Sequence, residues 1–296
     1  MNFEQEYARY KNLVEDYLAF PELKNVPLGN VMLYSLGAGG KRVRPILALA
    51  FCEAYGGDIQ KALPVAAAVE MIHTSTLIQD DLPCMDDDAL RRGKPSCHIA
   101  FSESDAVLAA SALMFYALEK VSESKLSPSA ANAVITTLCA LTGAKGVIGG
   151  QKLDLLYERN PETAEALTAE RILSMYGMKT CTLLQACCVS GYLTALSEDI
   201  TGADDIRTVA EYAYKLGLAF QITDDILDET GNEKKLGKPV KSDIKNKKRT
   251  YVSVAGLEKA REDAARLTEE AVDLLENIPN SAFLKLLTKY LLIRNN

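Results

Sequence analysis

Two groups of aspartates carry the most distinctive chemistry in this 296-residue chain: Asp80 and Asp81 with Asp86, and Asp224 and Asp225 with Asp228. Asp224 and Asp228 are four residues apart, which on a helix places them on one face about one turn apart. Carboxylates this close repel and raise one another's pKa, so holding them ionised calls for a counter-cation. A solvated acidic helix end is the bland alternative, and for an isolated pair it is the better one. Here the cluster follows Leu216, Gly217, Leu218, Ala219, Phe220 and Ile222, so the acids close a largely apolar segment. The first cluster is spaced differently. Six residues turn a straight helix through roughly 240°, which would point Asp86 away from Asp80. Pro83 resolves this, because it disfavours helical geometry at Leu82 and ends or bends the helix there. A turn through Cys84 and Met85 then carries Asp86 back, and Asp87 and Asp88 read as solvated turn acids, with further metal ligands as the alternative.

The donor set suits magnesium. Hard carboxylate oxygens, retained water and a polyphosphate completing the shell form the usual magnesium arrangement. Zinc would ask for histidine or cysteine at ligand spacing. The chain has two histidines, and its seven cysteines form no C-x-x-C pair. A calcium loop of the D-x-D-x-D-G type is absent.

Basic residues flank both clusters. Gly39-Gly40-Lys41-Arg42-Val43-Arg44-Pro45 sets three cations after a glycine pair, and Arg91-Arg92-Gly93-Lys94-Pro95 follows the first aspartates directly. Leu236-Gly237-Lys238 and Asn246 to Tyr251 follow the second. Each alone reads as surface charge. Together they suggest sites for two diphosphates, one held through metal and one by direct Arg/Lys pairing.

The elements that must position these groups are helical. Lys61 to Gln79, Ala130 to Leu155 and Thr168 to Leu193 are apolar-rich runs of helical length. Ser127-Pro128 fits an N-cap with proline at the first helical position. A further helix begins near Thr201, where Thr201 and Asp204 have N-cap and N3 spacing. Its apolar positions from Ile206 to Phe220 recur at three and four residues. Period-2 alternation is scarce, so no sheet is expected. The composition, 48% hydrophobic and 25% charged, is that of a globular domain. No stretch between helices is long enough for an interdomain linker, giving one all-α domain, residues 1–296, of about ten helices around a central cavity. A net charge of −7 argues against nucleic-acid binding. No apolar run reaches the roughly 18–20 residues of a membrane span. The odd cysteine count and the absence of a secretory leader point to a cytoplasmic protein with reduced thiols.

GGKRVRP, MIHTSTLIQDDLPCMDDDALRRGKPSCH, GGQKLDL, MKT, FQITDDILD and LGKPVKSD…NKKRTY occur in that order between residues 39 and 251. In these motifs the chain resembles the bacterial-type short-chain all-trans prenyl diphosphate synthases, the farnesyl and geranylgeranyl diphosphate synthase family. The resemblance implies the isoprenoid synthase fold and a homodimer. It implies head-to-tail condensation of isopentenyl diphosphate with an allylic diphosphate. By it, Asp80, Asp81, Asp86, Asp224 and Asp228 hold three magnesium ions on the allylic diphosphate, which Arg91, Lys179 and Lys238 neutralise. Gln151 and Asp154 support that cluster. Lys41, Arg44, His73 and Arg92 form the metal-free pocket for isopentenyl diphosphate, and Arg294 closes over it. Thr180 and Gln221 aim oxygens at the allylic cation, and Lys179 and Lys238 complete the catalytic set. Without the resemblance, His73 on its apolar helix reads as a satisfied core histidine.

The same resemblance makes product length a question of the residues before Asp80. Farnesyl-producing bacterial members commonly carry a large aromatic five positions before the first aspartate; here that position is Ser75, followed by Thr76. Small side chains there predict a cavity that extends past fifteen carbons and a geranylgeranyl product, unless Met114, Phe115 or Tyr116 supplies the floor. A class I terpene cyclase would carry an Asn/Ser/Glu-type second metal motif and need no isopentenyl pocket. A regulatory subunit of a heteromeric synthase would have lost one cluster. Neither departure is present.

Overall fold

The computed structural model describes residues 2–196, 205–230 and 249–292. Among these residues the fold is all-α, as expected, apart from a two-stranded antiparallel ribbon, β1 Leu90–Arg91 with β2 Lys94–Pro95. The chain divides into two compact units, Met1–Leu138 with Cys187–Ala203, and Cys139–Ala186 with Asp204–Asn296.

The first unit is built on α4, Ile59–Asp80. Asp58 caps its start by accepting the Gln60 amide at 2.9 Å, and Pro64 is accommodated inside it. Val65 to Ile72 are buried without a break, apolar except for Glu70, so α4 is enclosed on all sides and serves as the core helix of its unit. Against it pack α1 (Phe3–Tyr17), α2 (Gly29–Leu36), α3 (Val43–Ala54) and α6 (Glu103–Ser122). α6 packs on α4 and carries Ala106, Ala109 and Ala110, all buried, and small residues of this kind let two helices approach closely.

The second unit is built on α12, Ile206–Thr230, which packs against α14, Leu257–Leu274, and buries Tyr212 and Leu216. Thr201 and Asp204 lie outside the described residues. The expected Ala130–Leu155 segment is two helices, α7 Pro128–Thr142 and α8 Val147–Arg159. A Cβ on Gly146 would fall 1.8 Å from the Leu141 carbonyl oxygen, so the break depends on that glycine. Ser127 caps α7 as expected, its Oγ accepting the Ala130 amide at 3.2 Å. The expected Thr168–Leu193 helix runs as α10 Ala169–Tyr176, a π turn at Gly177–Cys181, and α11 Thr182–Leu196. Thr168 caps it through the Arg171 amide.

Two stretches, Pro128–Arg159 and Ala169–Leu196, are long and apolar enough to cross a membrane by length and composition. The first is broken at Gly143 to Gly146, and most of the second is buried within the protein.

Candidate active site

In the first unit α4 stops where the aspartates begin. It ends at Asp80, and Pro83 falls in the turn beyond. The Met85 and Asp87 amides both donate to the Leu82 carbonyl, at 2.8 and 3.2 Å, and the Asp86 amide donates to the Asp80 carbonyl at 2.9 Å. Asp86 therefore returns to the helix end. Asp80 is half-buried and Asp86 exposed, whereas Asp81 is only 2% exposed. Burial pushes the Asp81 carboxyl up, against the pull of Arg91. Arg91 donates through both Nε (2.9 Å) and Nη2 to Asp81 Oδ1, and through Nη2 to Asp88 Oδ2 at 3.1 Å.

The ribbon sets the two arginines apart. Its two-residue turn is Arg92-Gly93, both with positive φ (53° and 76°), the turn type that matches the twist of a tight hairpin. Arg91, on the strand, reaches the carboxylates. Arg92, at the tip, donates to the Gly39 carbonyl in the turn before α3.

Two turns before Asp80, about 10 Å along the helix axis, the charge reverses. Arg44 Nη1 lies 3.3 Å from His73 Nε2. An arginine can only donate, so Nε2 accepts and the imidazole carries its proton on Nδ1. Burial, and then the charges of Arg44, Arg92, Arg42 and Arg91, hold the His73 pKa well below its usual value. Arg44 Nε is buried with no hydrogen-bond partner among the described residues. An anion that brings its own acceptors satisfies such a recess. Lys41 lies at its edge in sequence, exposed, with Tyr7 donating to its carbonyl.

This neutral histidine has a consequence for stability. In the unfolded chain His73 takes up its proton near pH 6.5, while in the fold it resists doing so to well below that value. The unfolded state therefore binds more protons as pH falls below about 6.5, and stability is lost in that direction. Between pH 7 and pH 5 the melting temperature of the wild type should drop further than that of His73→Gln. Equal drops would rule out an imidazole held neutral by the fold.

In the second unit the polar groups gather around the π turn. Insertions of this kind re-aim side chains and recur at functional sites. Lys179 donates to the buried Asp154 on α8, and Thr180 donates to Gln221 Oε1 on α12 at 3.1 Å. Close packing fixes the turn from two sides. A Cβ on Gly150 would lie 2.3 Å from the Lys179 backbone nitrogen, and one on Gly217 would lie 2.7 Å from Cys181 Sγ. Gln221 Nε2 donates to Asp225 Oδ1 at 3.3 Å. The other Asp225 oxygen accepts from the Tyr176 hydroxyl at 2.6 Å and from the Tyr251 amide at 3.1 Å. Burial and the adjacent Asp225 push the Tyr176 phenol well above its ordinary pKa, so it stays a donor. Asp154, Tyr176, Lys179, Gln221, Asp225 and Thr250 line a cavity of about 90 Å³. Asp224 is half-buried and Asp228 buried on the same helix. Lys238 and Arg294 lie outside the described residues.

Tyr176 and Tyr251 take part in these networks although sequence reasoning gave them no role, and Asp225, noted there beside Asp224, is the acceptor that joins them. Their partners are distant in sequence, and no local spacing announces them.

Among the described residues no three carboxylate, imidazole or thiol groups converge to hold an ion by themselves. The donors present are hard oxygens from Asp80, Asp81 and Asp86, and from Asp224 and Asp228. They fit magnesium, which keeps water and substrate phosphate in its shell, better than zinc. The side-chain amide of Gln151 is buried with neither oxygen nor nitrogen bonded to a described residue, so it too is fitted to a water or ligand partner.

Ser75 is fully buried, and its hydroxyl donates to the Ala110 carbonyl of α6 at 2.8 Å. Thr76 donates back to the His73 carbonyl at 2.8 Å. Of the alternative floor residues on α6, Phe115 is exposed, and Tyr116 is buried and donates to Glu22 at 2.7 Å.

A family model described as Polyprenyl synthetase matches residues 26–281. The chain is 41% identical over 295 residues to a geranylgeranyl diphosphate synthase of Cyanophora paradoxa, covering 97% of this chain and 94% of the other. It is also 41% identical over 260 residues to the farnesyl diphosphate synthase of Bacillus subtilis (strain 168), covering 86% and 85%. Among solved structures, the geranyltransferase from Helicobacter pylori complexed with magnesium and isoprenyl diphosphate superposes with a TM-score of 0.78 at 32% identity, covering 97% and 95%. With its ordered motifs, its helical fold and this match across most of its length, the chain belongs to the polyprenyl synthetase family.

Proposed function

We propose that this protein condenses isopentenyl diphosphate head-to-tail with allylic diphosphates (dimethylallyl, geranyl, farnesyl), releasing diphosphate and an all-trans product of fifteen or twenty carbons. One observation carries the reading. A single helix, α4, ends in a carboxylate cluster and, two turns earlier, flanks a recess of Arg44, His73 and Arg92, so one unit offers both a metal-type and a metal-free diphosphate site.

Asp80, Asp81, Asp86, Asp224 and Asp228 would hold magnesium, three ions by family resemblance, with Gln151 and Asp154 in support. Bound there, magnesium supplies electrostatic stabilisation to the leaving diphosphate. Arg91, Lys179 and Lys238 add positive charge to the same group as its bond to the allylic carbon breaks. Arg44, His73, Arg92 and Lys41 hold the diphosphate of isopentenyl diphosphate and so orient its double bond. Thr180 and Gln221, tied to each other, present oxygens to the allylic cation. The double bond forms the new C–C bond, and the proton lost from the adduct passes to the released diphosphate. No side-chain base of the Ser-His or His-Asp kind is required.

The carboxylates in both clusters and the cationic recess favour this reading over a terpene cyclase or a regulatory subunit. We also propose a cytoplasmic homodimer. The seven free cysteines support the first part, and the exposed apolar side chains of Val107, Leu108 and Phe115 along α6 support the second. Protein whose mass has been determined by light scattering should be incubated with labelled isopentenyl diphosphate, each allylic partner and Mg²⁺, and the products separated by chromatography. Absence of any elongated product would end the reading. A monomeric mass would end the dimer.

Product length rests on the small side chains at Ser75 and Thr76, since relatives of both names match at equal identity. Geranylgeranyl diphosphate is the expected main or substantial product, and farnesyl diphosphate alone at long incubation would reject this. Ser75→Phe should shorten the product. It should also cost about 1–3 kcal/mol of stability, because it overpacks the α4–α6 contact. An unchanged product distribution in a folded variant would show that position 75 is not the floor.

A further inference from the structure

Glu70 has no role in the reading above, yet it is the carboxylate on which the cationic recess is assembled. It lies on α4 one turn before His73 and is 1% exposed. Its Oε1 accepts from Arg42 Nη1 at 2.6 Å, and the same oxygen lies 3.9 Å from Arg92 Nη2. Arg42 is itself completely enclosed. Its Nε and Nη2 reach the Glu15 carboxylate at 2.8 and 3.2 Å, and Nη2 also donates to the Leu36 carbonyl at 2.5 Å. Every guanidinium nitrogen of Arg42 is thus occupied by the protein, and none is left to meet a ligand. Arg42 occupies the N-cap position of α3 with φ 52°, between Lys41 and Arg44. Fixing its side chain fixes the backbone from which those two project.

The second link runs through Arg92. Its guanidinium donates to the Gly39 carbonyl and lies against Gly40, where an added Cβ would come within 2.9 Å of Arg92 Cζ. Gly40 has φ 130°, so glycine meets both the steric and the conformational demand of the contact. Glu70, Arg42, Arg92 and the Gly39-Gly40 turn therefore form one connected unit.

We propose that Glu70 is a positioning residue for the diphosphate of the substrate that does not ionise: by holding Arg42 and, at longer range, Arg92, it sets where Lys41, Arg44 and Arg92 meet that diphosphate. This rests on the function proposed above. Coulomb's law alone makes the opposite prediction, since removing a negative charge from an anion site should tighten binding. Positioning predicts weaker binding, because a small misplacement of clamping groups is costly.

Glu70→Gln keeps the shape and removes the charge. Its KM for isopentenyl diphosphate should rise about tenfold or more, with the KM for the allylic diphosphate unchanged. An unchanged or lowered KM for isopentenyl diphosphate would overturn the proposal. Gly40→Ala leaves Glu70 in place and pushes on Arg92 from the other side, so it should show the same selective rise. If Glu70→Gln does not fold, an unchanged KM in Gly40→Ala overturns the proposal instead. Failure of the wild type to turn over at all would point to the functional reading, whereas an active wild type with unaffected variants would sink this inference alone.

Discussion

Asp80→Ala and, separately, Asp224→Ala should lower the rate of condensation by a factor on the order of 10²–10³ or more while leaving the fold intact. Both side chains are half-buried, so truncating them opens no sealed cavity. Each is expected to hold the cation that stabilises the leaving diphosphate, and that stabilisation is needed mainly as the bond breaks. The loss should therefore fall on turnover, and the KM for isopentenyl diphosphate should change little. Asp81 is the poorer choice for this test. It is buried and bonded to Arg91, so Asp81→Ala would leave that guanidinium with the exposed Asp88 in place of its buried partner and confound folding with chemistry. Turnover assayed across a magnesium titration, beside circular dichroism and a melting curve, provides the check. Folded variants that condense at the wild-type rate would overturn the metal assignment for both clusters.

Lys179→Met should have an effect of similar size, for two separable reasons. It removes a cation proposed to neutralise the allylic diphosphate, and it strips the buried Asp154 of its ion-pair partner. Breaking a buried pair from one side destabilises by roughly 3–5 kcal/mol. Lys179 is itself partly exposed, which places the expected loss below that range. The double variant Lys179→Met/Asp154→Asn removes the buried carboxylate charge as well and should recover most of the stability. Its activity should stay about 10²-fold down, because the cation is still missing. Recovery of activity together with stability would mean that Lys179 acts only through the fold.

The parts of this site that follow from local rules were legible in the sequence. Pro83 fixed the end of α4 and the return of Asp86, and Ser127-Pro128 marked the start of α7. Four-residue spacing put Asp224 and Asp228 one turn apart on α12. What escaped was set by contacts between residues distant in the chain. Arg42 and Glu70 are 28 positions apart, and Tyr176 and Asp225 are 49 apart. Nothing in the run Lys41-Arg42-Val43-Arg44 says that the middle arginine turns inward while its neighbours flank a recess. The π turn was hidden for a related reason. Its sequence, Gly-Met-Lys-Thr-Cys, is compatible with a regular helix, and it is Gly150 and Gly217, on α8 and α12, that make room for the wider turn.

That turn also constrains how the enzyme can be made more robust. A helix with a π turn carries one residue more than a regular helix of the same rise, so the residues beyond it are rotated by about 100° relative to those before. Losing one residue between Gly177 and Cys181 would let the segment relax into a continuous helix with better hydrogen bonding. The same event would swing Lys179 away from Asp154, or Thr180 away from Gln221. Selection for thermal tolerance alone is therefore drawn toward deletions here, and the most heat-resistant survivors would include inactive ones. Any such campaign needs an activity screen at every round, with the length of this segment held fixed.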